Sequence, residues 1–393
     1  MRQLNRSLVL DLVKRQAPIS RAAIAKAASL AKPTVSVIVD ELITAGLIDE
    51  MGVGATTIGG GRPPILLKFN ARSAFVIGAH IGVGHVEILL ADAKGGEIAR
   101  FRRTTPAGRP PRVLASVAAM VRAAFKGSDA SIDLLSAVGV TVPGLVDFDA
   151  GTCLLAPNLK WRNVAVGPLL STALGVPVFV HNMSQACAVA ESVLGVGVDV
   201  SDLVYLYLGT GIGVGILTDG ELLHGSTGVA GEIGHCFVPG ATKTCNCGKV
   251  GCLETIASGP SIAATVLELI DQGRPSSLAG RRDITAEDIA LAAAGGDELS
   301  LEVFTAAGEA IGLALSWLVN LCNPQVVAVG GGVGKAGDVL FRPLRDAIVR
   351  HALPQAAAGV DVVHSTVEDA AARGAVLLAL QHSERYYRVI VQG

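Results

Sequence analysis

The chain predicts an α/β protein in two parts: a small winged helix-turn-helix at the N-terminus and a larger α/β body with a metal-binding loop. Three observations predict it. Apolar residues recur with a helical period through the first fifty residues and then give way to a glycine-rich stretch. Later, three glycine turns each follow an apolar, strand-like run, at 78–84, 209–215 and 330–334. Finally, His235, Cys245, Cys247 and Cys252 fall within eighteen residues. The 393 residues allow two or three domains. Only 4% are aromatic while 50% are hydrophobic, so Val, Leu, Ile and Ala must fill the core.

Leu4, Leu8, Leu12 and Val13 form a stripe that predicts the first helix. Ser20 is a suitable N-cap for a second, SRAAIAKAA. After a turn at 28–32, Pro33 fits the first turn of a third helix, where its missing N–H costs nothing. Val35, Ile38, Val39, Leu42 and Ile43 give that helix one apolar face, and Gly46 ends it. Ala31 stands where a capping hydroxyl is usual, and Val37 points outward. Leu47 onward and GATTIGGGRPPILLKF predict two strands joined by a wing that bears Arg62. Residues 1–72 hold ten Lys/Arg and five Asp/Glu, a net +5; the remainder holds 22 and 29, a net −7. A basic unit on an acidic body points to a polyanion partner for the first unit alone. A packing module that binds nothing would need neither that charge nor the wing. In a winged helix-turn-helix Lys32, Thr34 and Ser36 would face the major groove of operator DNA, and Arg62 the adjacent minor groove or backbone. Val37 meets thymine methyls there or is neutral.

In the body, 74–98 reads as strand, turn, strand, turn, strand. A helix follows over 113–126 and a strand over 134–142. Val176–Val180 is a strand and Asn182–Leu194 a helix, and two strands flank the turn Gly209–Gly213. Helices fill 260–321, and a strand from Val326 meets the third glycine turn. Repeated turns of this kind match a duplicated nucleotide-binding fold, in which backbone amides of hairpins hold phosphates. The longest uncharged run, Ile311–Gly334, contains Asn320, Asn323 and Pro324, so it reads as a buried helix and strand rather than a membrane span. The N-terminus carries charges through its apolar stripe, unlike a signal peptide.

His235, Cys245, Cys247 and Cys252 are spaced H-x9-C-x-C-x4-C. A closed Cys3His set is the donor set of a structural tetrahedral Zn2+ site; a catalytic zinc keeps one position open. Buried thiols beside a core histidine are the rival, but C-x-C-G-x-x-G-C is too polar and glycine-rich for a core segment. Cys153, Cys187, Cys236 and Cys322 read as reduced, which fits a cytoplasmic location.

Several segments carry a resemblance: GEIGH…C-x-C-G-x-x-G-C-L-E at 231–254, GTGIG at 209–213, Val142-Pro-Gly144, Pro157-Asn-Leu-Lys-Trp161 and Asn323-Pro…Gly330-Gly-Gly332. Over 73–393 the chain resembles the ROK family of repressors, open reading frames and sugar kinases. The resemblance implies a two-lobed, actin-like (ribonuclease H-like) ATPase/sugar-kinase fold with a sugar cleft. The first lobe is expected at 73–181, with a C-terminal helix at about 370–393 packing back on it, and the second at 182–369. Sugar contacts carry over to Asn158, Asn182, Glu232, His235 and Glu254. The winged unit marks the repressor branch.

Two positions depart from the kinase pattern. The family's kinases follow the asparagine aligned with Asn182 by an aspartate that serves as base, and here that residue is Met183. Their first phosphate turn runs D-x-G-G-T, and here it is His80-Ile-Gly-Val-Gly84. Phosphoryl transfer needs both a base and a phosphate cradle. No catalytic residue is therefore assigned, and the chain is expected not to be an enzyme. Met183 also offers an apolar surface that a deoxy or N-acetylated sugar would suit. The expectation is a cytoplasmic, sugar-responsive repressor that binds operator DNA as a homodimer or homotetramer, with no membrane partner. A low-activity sugar kinase and a regulator answering to a protein partner are the alternatives.

Overall fold

A computed structural model describes residues 2–53 and 63–390, with residues 384–390 described by backbone alone. The glycine-rich wing tip, including Arg62, lies outside the described residues.

The N-terminal unit has helices at Arg2–Gln16, Arg21–Ala27 and Lys32–Thr44. Its sheet runs Ile19–Ser20, Ile65–Phe69, Ile48–Val53 in spatial order. Ser20 caps the second helix, its hydroxyl accepting from Ala23 N–H at 3.2 Å. Ala31 caps the third with no side-chain bond, and Pro33 stands in its first turn. The second and third helices are bent by 118° relative to each other. Val35, Val39 and Leu42 bury against Ile24, Val9 and Val13. The stripe read for the first helix needs correction. Leu4 and Leu8 are 72% and 40% exposed, while Val9 and Val13 are fully buried. The core of so small a unit reaches only the second half of this helix, and the i, i+4 pair Val9/Val13 faces it.

The body contains two five-stranded sheets of identical topology. The first orders Val178–Asn182, Leu135–Val142, Phe75–Ile81, His85–Asp92 and Glu97–Thr104. The second orders Glu221–Leu222, Ile212–Thr218, Leu203–Leu208, Val326–Gly330 and Asp361–His364. In each, three consecutive strands form an antiparallel meander, and two later strands add in parallel to the first. Phe75–Ile81 is buried along its whole length and Leu135–Val142 at every residue but Ser136, as a sheet covered on both faces requires. A small antiparallel sheet, Leu145–Asp147, Thr152–Ala156 and Trp161–Val164, adds to the first lobe.

The helical region predicted over 260–321 is three helices, Gly259–Asp271, Ala286–Ala294 and Glu298–Cys322. The breaks are set by caps. Thr285 and Asp288 form a capping box, and Asp297 accepts from Ser300 N–H at 2.8 Å. By length and composition alone Glu298–Cys322 is apolar enough to cross a membrane. It is the core helix of the second lobe, with Phe304, Ile311 and Leu315 fully buried.

Two helices join the lobes. Met183–Leu194 leaves the first sheet and packs on the second, burying Cys187 and Ala188 with Leu203, Tyr205 and Ala328. Ala370–Ile390 returns to the first sheet, burying Ala372, Val376 and Ala379 with Val76, Leu89 and Ala137. Glycines permit the approach. A Cβ at Gly78 would lie 2.2 Å from Ala372 O, one at Gly139 2.1 Å from Ala375 O, and one at Gly374 1.9 Å from Ala186 O. Gly374→Ala is therefore expected to destabilise by about 1–3 kcal/mol through overpacking. An unhindered mid-helix glycine would show the opposite sign, a gain of about 0.5–1 kcal/mol. Urea unfolding reads the sign directly, and a stabilised variant would mean the helices part easily.

Candidate functional site

A cavity of about 280 Å³ is lined from both lobes. The first lobe supplies the hairpin His80–His85, Pro143, Gly144 and Asn158. The second supplies the hairpin Tyr207–Gly213, Glu232, His235 and Glu254. Asn182 and Met183 stand between them, at the start of the connecting helix. All five residues carried over as sugar contacts thus share one cavity.

Their surroundings differ. Asn158 sits in the short turn Pro157–Leu159, exposed to solvent. Asn182 caps Met183–Leu194: its Oδ1 accepts from Ser184 N–H at 2.7 Å and Gln185 N–H at 3.3 Å, and its Nδ2 donates to Gly144 O at 2.8 Å. One amide hydrogen is left for a ligand. Glu254 Oε2 accepts from Ile212 N–H at 3.1 Å, which ties the second hairpin to the segment after the cysteines. Glycine at 211 leaves room for the carboxylate, since a Cβ there would lie 2.8 Å from that oxygen. Burial, with Glu254 beside it, pushes the Glu232 carboxyl up to about 7. Cavity-lining polar residues that sequence reading missed include Thr210 and Asn246. Their positions, inside the GTGIG turn and between two cysteines, were the available signals.

The four metal-site residues converge, their donor atoms all within 4.8 Å of one another. Cys245 Sγ lies 3.7 Å from His235 Nδ1, and Cys247 Sγ lies 3.6 Å from Cys252 Sγ. Bonds of about 2.3 Å to a tetrahedral zinc put thiolates about 3.8 Å apart, so the donor set fits that ion. A disulfide would need about 2.05 Å. Loop hydrogen bonds fix the spacing: Cys245 N–H donates to Lys249 O at 2.8 Å, and Gly248 N–H to Cys245 O at 2.9 Å. The other ring nitrogen, Nε2, faces the cavity 3.8 Å from Glu232 Oε2.

At the two departures from the kinase pattern, Met183 is buried, lines the cavity and packs in the cluster of Cys187, Leu203 and Tyr205. His80 is buried, with Nδ1 3.1 Å from Thr141 Oγ1. Burial, with His85 and Arg102 nearby, holds its imidazole down to about 3. In the N-terminal unit Lys32 and Thr34 are exposed and Ser36 is half-buried. Val37 is 54% exposed, and with Pro33 and Thr34 it borders a shallow groove shared with Arg2 and Asn5.

Residues 76–382 match the ROK family. The chain belongs to the ROK family. The xylose repressor of Caldicellulosiruptor bescii is 32% identical to it over 352 residues, 88% of each chain. The N-acetylglucosamine repressor of Escherichia coli O157:H7 is 33% identical over 379 residues, 96% of this chain and 92% of the relative. The crystal structure of a ROK family transcriptional regulator, a homologue of the Escherichia coli MLC protein, superposes with a TM-score of 0.85 at 33% identity. It covers 100% of this chain, and this chain covers 99% of it. The ROK match ends short of the N-terminal unit, but this regulator structure spans it as well.

Proposed function

We propose that this ROK protein is a sugar-responsive transcriptional repressor of the cytoplasm, with units at 1–72, 73–181 and 182–369 and the terminal helix returned to the first lobe. The observation that carries the reading is a single cavity that combines sugar-binding groups with the loss of transfer chemistry. Asn158, Glu232, His235 and Glu254 offer carboxylate, amide and imidazole groups to vicinal hydroxyls. Met183 cannot take a proton from an attacking hydroxyl, and His80 replaces the acid of the first phosphate turn.

Zinc on His235, Cys245, Cys247 and Cys252 is structural in this reading, and it supplies a rigid crosslink. The chain's own residues do the rest. His235 turns Nε2 toward Glu232 and the cavity, a metal-side histidine that also meets a hydroxyl. Asn182 holds the mouth of the connecting helix and offers its remaining N–H. A sugar that touches both lobes favours one lobe arrangement, and only such differential affinity shifts DNA binding. In a homodimer or homotetramer, two winged units meet half-sites about one helical turn apart. Lys32, Thr34 and Ser36 face base edges, and Arg62 the minor groove or backbone.

The test is binding of the purified chain to its own upstream DNA and to scrambled DNA, with and without a sugar panel. Xylose and N-acetylglucosamine come first, being the sugars named for the two relatives. Specific binding shifted by one sugar supports the reading. Affinity no better than for scrambled DNA, together with sugar-dependent ADP release, replaces it with a weak kinase. Arg62→Ala is expected to reduce the salt dependence of operator binding by about one unit of log–log slope. An unchanged slope removes Arg62 from the interface.

A further inference from the structure

Three histidine rings and two phenylalanine rings stack where the two lobes and the returning helix meet. His181 belongs to the strand Val178–Asn182, and Phe148 follows Leu145–Asp147, both in the first lobe. His224 follows Glu221–Leu222 in the second lobe, and His382 lies on the returning helix. Phe148 is central, its ring centroid 4.8 Å from that of His181, 5.7 Å from His224 and 5.0 Å from His382. His382 also stacks on Phe179 at 4.5 Å and on His181 at 5.5 Å. His181 is 1% exposed, and among the described residues neither of its ring nitrogens meets a hydrogen-bond partner. An interior polar group left unbonded is costly and asks for a reason. A shared metal ion is not that reason. His181 and His382 lie face to face, with planes 21° apart, so their nitrogens do not converge on one point.

We propose that this stack is a proton-sensitive latch between the lobes, closed while its histidines are neutral and released when one of them is protonated. A neutral imidazole packs its face on another ring as any aromatic does. A protonated one needs acceptors for two N–H groups, and the protein interior around His181 supplies none. Burial, with His382 and His224 close by, holds the His181 imidazole down to about 3, and burial lowers His224 as well. Among the described residues, His382 and His224 are the charged groups that bear on His181, and the exposed Asp149 bears on His224. Thr141 pairs with His181 on the adjacent strand, and His80 stands one strand further. Release opens the ring to water, where imidazole titrates near its ordinary value of about 6.5. Protons therefore leave the latch alone above that value. Below it they favour release, about tenfold for each pH unit and each histidine.

Both sides of the latch continue into the cavity. Asn182, which lines it, follows His181 directly, and the loop that starts at His224 ends at Glu232. Hydrogen bonds hold that loop: Ala230 N–H donates to His224 O at 3.2 Å, and Val214 N–H to Gly231 O at 2.8 Å. Gly228 brings it onto the first lobe, since a Cβ there would lie 2.6 Å from Val146 O. A ligand that shifts Asn182 against Glu232 therefore shifts His181 and Phe148 against His224. This coupling rests on the sugar reading of the cavity; the latch itself does not.

The test is amide hydrogen exchange of the full-length protein at about pH 7.5 and about pH 5.5, on either side of the free imidazole value. It is read in the segments 143–151 and 222–232. His181→Phe and His224→Phe keep an aromatic ring in the stack but cannot take a proton. Wild type and variants are compared at the same pH, so that intrinsic exchange rates cancel. At the higher pH all three are expected to exchange alike in these segments. At the lower pH the wild type is expected to exchange about tenfold faster than either variant. Equal exchange there by the wild type and a folded variant overturns the latch. Circular dichroism shows which variants fold. If neither folds, the wild type decides: protection lost at the lower pH in these two segments alone supports the latch, and protection unchanged after correction for intrinsic rates overturns it. Xylose and N-acetylglucosamine are then added at the higher pH. Altered protection in the same segments supports both the coupling and the sugar reading. A pH response that neither sugar touches leaves the latch standing and removes its tie to the cavity.

Discussion

Replacing Glu191 by alanine is expected to destabilise the protein by about 3–5 kcal/mol and to lower its melting temperature by roughly 4–6 °C. Glu191 is fully buried in the connecting helix. Its Oε1 accepts from Ser365 Oγ–H at 2.6 Å, Thr366 N–H at 3.0 Å and Val367 N–H at 2.9 Å. Its Oε2 accepts from Val196 N–H at 3.0 Å. One carboxylate thus fastens the outgoing helix to the segment from which the returning helix starts. Alanine takes the acceptor from three backbone donors and a hydroxyl and leaves empty the space that the buried carboxylate filled. Glutamine is expected to recover about half of the loss, because its NH2 group must face at least one N–H donor. Thermal and urea melts measure both variants. A shift below about 2 °C for alanine would mean that water replaces the carboxylate and the tie is dispensable.

Cys247→Ser is expected to abolish stoichiometric metal and to weaken sugar binding at least tenfold. Cys247 is the exposed member of the set, so its side chain contributes little packing of its own. The effect must then pass through the loop. Without the crosslink His235 is released beside Glu232, and Glu254, two residues after Cys252, loses its anchor. Elemental analysis of the purified protein gives the metal content, and a chelator should reproduce the loss in the wild type. Full metal content with an unchanged melt would remove Cys247 from the site. Glu232→Ala separates the two roles of this region, since it should lose sugar response while retaining metal.

How much of this was legible in the sequence depended on how local the physics is. The third helix of the N-terminal unit was readable because Val35, Ile38, Val39 and Leu42 repeat within one helix. The cysteine loop was readable because four donors in eighteen residues can meet without help from the rest of the fold. The cavity residues came from motif resemblance. Nothing in the spacing of Asn158, Glu232 and Glu254 indicates that they face one space. Asn182 is the instructive case: its neighbours announce a helix start, and the structure spends most of its amide on capping that helix. The first helix misled because apolar residues at 4 and 8 continue a period that the small core does not reach. Glu191 gave no signal, since its partners Ser365, Thr366 and Val367 are distant in sequence.

The returning helix has a consequence for how the protein is made. Ribosomes deliver the N-terminal unit first, and the buried residues of its core all lie between Val9 and Phe69. The first lobe is synthesised next, but Val76, Leu89, Ala91 and Ala137 stay uncovered until Ala372, Val376 and Ala379 emerge. The nascent chain therefore displays an apolar strip throughout translation of the second lobe, and it is most open to chaperones and to misassembly during that interval. Premature termination anywhere before the last helix yields a finished N-terminal unit attached to a body that cannot close.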